Sequence, residues 1–179
     1  MSALLASACL PYSHDPFARS PEACESPTAS SQEPRFYEFV FESDEEPTVK
    51  TRTDSVNVRW PHKEASEAHL TIANSSQTGF LPDQDPEFWL TAVTTVPDKT
   101  IQLLTEGAAA DTLLPGFYPE LYEHVPQECQ FTTITPSFAD KTLATDKEKI
   151  PHDFGPMDIR AISVSENCHL LVFTALGHS

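Results

Sequence analysis

Histidine is the side chain best able to move protons near neutral pH, and of the chain's seven, His62, His69, His124, His152 and His169 fall in the segment read as ordered. A general acid or base would be drawn from His69 and His169, which fall in strand-like segments, or from His124, in a short helical one. Read as strand residues, His69 and His169 face the layer opposite Leu70 and Leu170. That position predicts solvent-facing or hydrogen-bonded sheet residues more than ligands. His152-Asp153 sets an imidazole beside a carboxylate, but adjacent residues usually point apart, so no metal is expected there. Asp83-Gln84-Asp85-Pro86-Glu87 offers oxygen ligands at alternate positions without the glycine and distant glutamate of a calcium loop, and reads as a solvated acidic loop.

Aromatic residues gather at Phe88-Trp89 and at Phe117, Tyr118 and Tyr122. Trp89, Phe117, Tyr118 and Tyr122 are the candidates for lining a small-molecule pocket; the competing expectation is that they fill the core. The four cysteines, Cys9, Cys24, Cys129 and Cys168, show no short paired spacing. Neither a disulfide framework nor a thiolate zinc site is expected, and Cys129 and Cys168 read as buried thiols in a reducing compartment. The chain has no phosphate loop, nucleophile elbow, zincin helix or dinucleotide fingerprint, and no cofactor is expected.

The elements that would position these residues are mostly strands. Residues 1–34 hold five prolines among Ser, Ala and Glu, a composition that predicts a disordered tail ahead of a single β domain over 35–179. Strand patterns are read at 35–42, where Tyr37, Phe39 and Phe41 alternate with Glu38 and Glu42, weakly at 48–53, and at 55–60, where Val56, Val58 and Trp60 alternate. Further patterns fall at 68–73 and 88–96. Residues 100–105 read as the returning arm of a hairpin, with a short helix over 101–110 as the alternative. Strands follow at 130–135, 159–164 and 168–176, the last two central in the sheet. Pro119 heads a short helix through Val125, and 140–153 reads as a long exposed loop. The fold class expected is mainly β, an antiparallel β-sandwich or irregular β-barrel of about eight or nine strands with one or two short helices.

Charge bounds the partners. With 27 acidic against 11 basic side chains the formal net charge is −16, which repels nucleic acid and anionic membranes. No apolar run approaches the roughly eighteen residues that span a bilayer. Ala3 to Leu10 lacks a preceding basic residue and is interrupted at Pro11, so it is read as tail rather than signal, and the acceptor pattern Asn74-Ser75-Ser76 is read as coincidence. Ser20-Pro21, Ser26-Pro27 and Ser43-Asp44-Glu45-Glu46 have the form of kinase sites, and a cytoplasmic or nuclear location is expected. The function expected is a non-enzymatic protein-interaction module, an acidic accessory subunit of a larger assembly that meets a protein partner with a basic face. The alternative is a small-molecule β-barrel, a carrier or an isomerase- or cyclase-type enzyme, using a His or carboxylate in an aromatic pocket.

Overall fold

The β-branched and aromatic run Glu87–Thr95 forms a central strand of a six-stranded sheet, in order β1-β2-β3-β6-β5-β4 with every neighbouring pair antiparallel. The computed structural model describes residues 33–76, 87–111, 113–143 and 147–178. The strands are β1 Lys50–Thr51, β2 Glu67–Asn74, β3 Glu87–Thr95, β4 Thr132–Ile134, β5 Met157–Ser165 and β6 Leu170–His178. β3 and β6 lie at the centre, paired from Glu87↔His178 to Thr95↔Leu170. The tail expected over 1–34 and the acidic loop Asp83–Pro86 lie outside the described residues, apart from Glu33 and Pro34.

The sheet is open rather than closed into a barrel, and it has fewer strands than the sequence pattern suggests. Three segments account for much of the difference. Residues 55–60 are not a strand: Asp54–Asn57 is a helical turn, α1, continued by the Trp60 N–H donating to Val56 O at 2.9 Å. Val56 and Trp60 stand four residues apart, a spacing that strand alternation and one helical face both satisfy, and both are buried. Residues Asp98–Thr105 form helix α2 instead of a returning strand, burying Thr100, Ile101 and Leu104 on one face behind Pro97. Residues 35–42 form an extended arm that packs on the sheet through its rings and, among the described residues, shares a β-bridge only at Phe36↔Leu114. The expected loop at 140–153 likewise begins inside helix α3, Pro136–Leu143, which buries Ala139 and Leu143.

Strand alternation divides the core between the two faces of the sheet. On one face Ala68, Leu70, Leu90, Ala92, Ile162, Leu171 and Phe173 pack with Val56, Trp60, Ile101, Leu104 and Leu143 from the helices. Opposite, Val93 and Val172 pack with Phe36, Leu114, Phe117, Leu121 and Val125 from the arm and the 3-10 turn Pro119–His124. A β-bulge between Ile159 and Ala161 keeps Ile159 and Ile162 on the helical face despite their odd spacing. Between Trp60 and Phe173 lies Lys63, fully buried, with its Nζ 3.2 Å from the Phe173 ring centroid and 4.6 Å from that of Trp60.

Cys129 and Cys168 are joined in a disulfide with Cα atoms 5.6 Å apart, which corrects the expectation of two buried thiols. Their separation of 39 residues hides the pairing in the sequence. The antiparallel pairing of β4 with β5 and of β5 with β6 brings the chain just before β4 to the β5–β6 turn.

Candidate functional site

Among the candidate histidines the structure brings two together. His69 on β2 and His124 at the end of the 3-10 turn stack face to face, ring centroids 3.7 Å apart and nearly parallel, with 10° between their planes. His69 Nε2 lies 3.1 Å from Glu67 Oε1, its Nδ1 lies 3.3 Å from Thr51 Oγ1, and His124 Nε2 lies 3.5 Å from Glu123 Oε1. Burial and the neighbouring His69 imidazole pull the His124 pKa below the ordinary histidine value. The pair borders a cavity of about 340 Å³, whose wall includes Cys168 and Leu170. His169 stands apart: it takes the left-handed backbone conformation at φ 56° in the β5–β6 turn, and its Nδ1 lies 2.9 Å from Asp98 Oδ1.

The four aromatic candidates sit against the arm. Trp89 and Phe117 are fully buried. Phe117 meets Phe36 edge-on at 4.7 Å, and Phe36 stacks on Tyr122 at 4.7 Å. Phe39 contacts Trp89 at 5.3 Å and Tyr118 at 5.9 Å, while Phe41 stacks on Trp89 at 5.9 Å. These rings therefore hold the arm to the sheet, each pair adding about 1 kcal/mol beyond its area burial. His152 and Asp153 are exposed in the 3-10 turn His152–Phe154. Among the described residues no group of three or more His, Cys, Asp or Glu side chains could hold a metal ion.

The arm over 36–46 is the feature that sequence reading missed as a surface. Its inward residues Phe36, Phe39 and Phe41 are anchored as above, and the Trp89 indole N–H donates to Glu42 O at 3.1 Å. Gly116 permits close approach of the backbone: a Cβ there would meet Glu38 O at 2.4 Å. The Tyr37 N–H donates to Leu114 O at 2.9 Å, and the Tyr37 hydroxyl donates to the Asp111 carboxylate at 3.0 Å, a bond that raises the phenol pKa.

What the anchors leave outside is distinctive. Val40 is 70% exposed and Tyr37 47% exposed, each a large apolar side chain in water. Around them Glu38, Glu42, Asp44, Glu45 and Glu46 are exposed as well. From Glu38 to Phe41 the arm makes no backbone–backbone hydrogen bond to another described residue. The alternation of aromatics and glutamates was readable; that the outer side would be an apolar centre in an acidic rim was carried by Val40 alone. Comparison of the chain with protein-family models, with characterised proteins and with solved structures finds no match.

Proposed function

We propose that this chain is a non-enzymatic protein-interaction module, an acidic accessory subunit that docks through the 36–46 arm onto a basic face of a partner protein. The observation that carries this reading is Val40, exposed between Glu38 and Glu42 on an extended segment, Glu38 to Phe41, that makes no backbone–backbone hydrogen bond among the described residues. An exposed apolar residue ringed by one sign of charge suits a recess rimmed by Lys and Arg, with the apolar contact supplying affinity and the charges orienting the encounter. An extended arm whose backbone from Glu38 to Phe41 makes no backbone hydrogen bond among the described residues can also add to a sheet edge of the partner. The net charge of −16 works in the same direction, drawing basic surfaces toward the whole molecule.

The test places a photo-crosslinking amino acid at position 40 in the full chain, expressed in its own source, with position 103 as the control. Leu103 is also a large exposed apolar residue, 46% accessible, but it lies on helix α2. A discrete adduct to one basic protein from position 40, lost at high salt and absent from position 103, is the expected result. Equal or no adducts from the two positions would overturn the docking role of the arm.

A second reading, acid–base chemistry on a small molecule, is favoured by the meeting of His69 and His124 at a cavity. It no longer has a barrel interior to work in, because the sheet is open. Native mass spectrometry of the purified chain tests it, a retained small molecule released by His124→Ala being the supporting result.

A further inference from the structure

We infer that the chain matures in an oxidising, glycosylating compartment and that Asn74 is an N-glycosylation site, its amide carrying an oligosaccharide. Two independent observations meet here. The first is the Cys129–Cys168 disulfide, which joins both cysteines among the described residues. Glutathione and thioredoxin keep such pairs reduced in cytosol and nucleus, so a disulfide that ties a strand entry to the turn of the central hairpin marks an oxidising compartment. In that compartment the pattern Asn74-Ser75-Ser76 ceases to be idle, since it has the asparagine, the non-proline middle residue and the hydroxyl two places on that the transferase requires.

The second observation is the place of Asn74. It is the last residue of β2, where β1 no longer pairs: β1 reaches only Lys50↔Leu70 and Thr51↔His69. Asn74 is exposed, while Thr71 three residues earlier is fully buried. By strand alternation its side chain shares the side of Ala68, Leu70 and Ile72, at the margin of the helical face. Phe36 at the start of the arm packs on the opposite face, whereas Ser43 to Glu46 at its end line a cavity together with Asn74. A glycan on Asn74 therefore leaves from an exposed position beside the acidic end of the arm. It would also shield the stretch of β2 edge that β1 leaves open, one of the ways an unpaired edge is kept from pairing with other chains.

Chemically, the Asn74 amide nitrogen forms a bond to the anomeric carbon of a lipid-diphosphate-linked oligosaccharide. The bond from that carbon to the diphosphate oxygen breaks, the lipid diphosphate leaves with the electron pair, and the amide gives up one proton to a base of the transferase. No oxidant or reductant is needed for this step.

The experiment uses the full chain isolated from its own source, alkylated without reduction and digested with trypsin. The peptide from Glu64 to Lys99 is analysed before and after treatment with an amidase that removes N-linked glycans in heavy-oxygen water. The expected result is a glycan mass on that peptide, released with conversion of Asn74 to a heavy-oxygen-labelled acid, and Cys129 and Cys168 protected from alkylation. The variant Ser76→Ala abolishes the glycan without altering the backbone hydrogen bond from the residue 76 N–H to Glu42 O. An unmodified Asn74 overturns the site, and alkylated Cys129 and Cys168 overturn the compartment and the site together.

Discussion

Lys63 poses the sharpest energetic question in the core. Its ammonium nitrogen is fully buried with no hydrogen-bond partner among the described residues, and the faces of Phe173 and Trp60 lie against its charge. Burial pulls its pKa well below the ordinary lysine value, and the Asp140 carboxylate opposes that shift only in part. A lysine whose folded pKa is depressed holds fewer protons in the native state than in the unfolded chain. Stability therefore rises with pH between the folded pKa and the unfolded value, and is lowest in acid. Lys63→Met keeps the length of the side chain and removes the unpaired donor, and should stabilise the fold by about 1–3 kcal/mol in urea denaturation at neutral pH. The gain should shrink as pH approaches the unfolded lysine value. An equal gain at every pH would mean that the charge plays no part. Nothing in the sequence around Pro61-His62-Lys63 distinguishes this lysine from a surface one, because its burial is set by Phe173, 110 positions away in the chain.

Among the elements, two clasps hold the layer on the non-helical face, and each gives a measurable consequence. The first is the His69–His124 stack, which docks the 3-10 turn Pro119–His124 on β2. The His124 pKa is lowered, so the native state binds fewer protons than the unfolded chain, and stability falls as pH drops through the unfolded histidine value toward the lower folded one. Glu67 and Glu123, which face the pair, soften the repulsion between two imidazolium rings without removing it. Lowering pH from about 7.5 to about 5 should lower the protection factor, exchange corrected for its intrinsic pH dependence, at Val125, whose N–H donates to Tyr122 O, and His124→Asn should flatten that dependence. The second clasp is the Cys129–Cys168 disulfide. Closing a loop of this length constrains the unfolded chain by about 4 kcal/mol in the chain-entropy description, so Cys129→Ser with Cys168→Ser should lower the unfolding free energy by an amount of that order. Elements with one dominant period were legible: β2, β3, β5 and β6 lie close to where the alternating and apolar runs put them. Those that failed share a cause. Val56 and Trp60 satisfy two periods at once, Ile101 and Leu104 were outweighed by the β-branched run before them, and the 36–42 alternation is real for Phe39 and Phe41 but serves an arm on the sheet rather than a strand within it. The site was half legible for a related reason. Histidines at 69 and 124 were candidates by chemistry, yet only the fold of the 3-10 turn onto β2 makes them neighbours.

At the scale of the whole molecule the question is whether −16 acts as a diffuse field or is focused by the arm. A diffuse field speeds encounter with any basic surface and is screened with a Debye length of about 10 Å at 0.1 M salt, so it discriminates little among partners. A focused rim adds a place: Glu38 and Glu42 flank the exposed Val40, and the aromatic anchors beneath fix their spacing. Charge reversal separates the two. Glu38→Lys with Glu42→Lys and Glu106→Lys with Glu166→Lys change the net charge by the same amount, and all four glutamates are exposed. The second pair lies at the end of α2 and in the β5–β6 turn, away from the arm in sequence. If the arm is the docking surface, the first pair should weaken the partner crosslinked at position 40 by about tenfold, at about 0.5–1 kcal/mol for each rim charge, while the second leaves affinity nearly intact and slows only association. Val40→Asp should weaken the complex further and leave folding stability within about 0.5 kcal/mol, because the side chain it replaces is in water already. Equal loss from both charge pairs, measured by titration at about 0.15 M salt, would make the acidity a property of the surface at large. The exposed valine would then be no more than the outward side of an arm held by its phenylalanines.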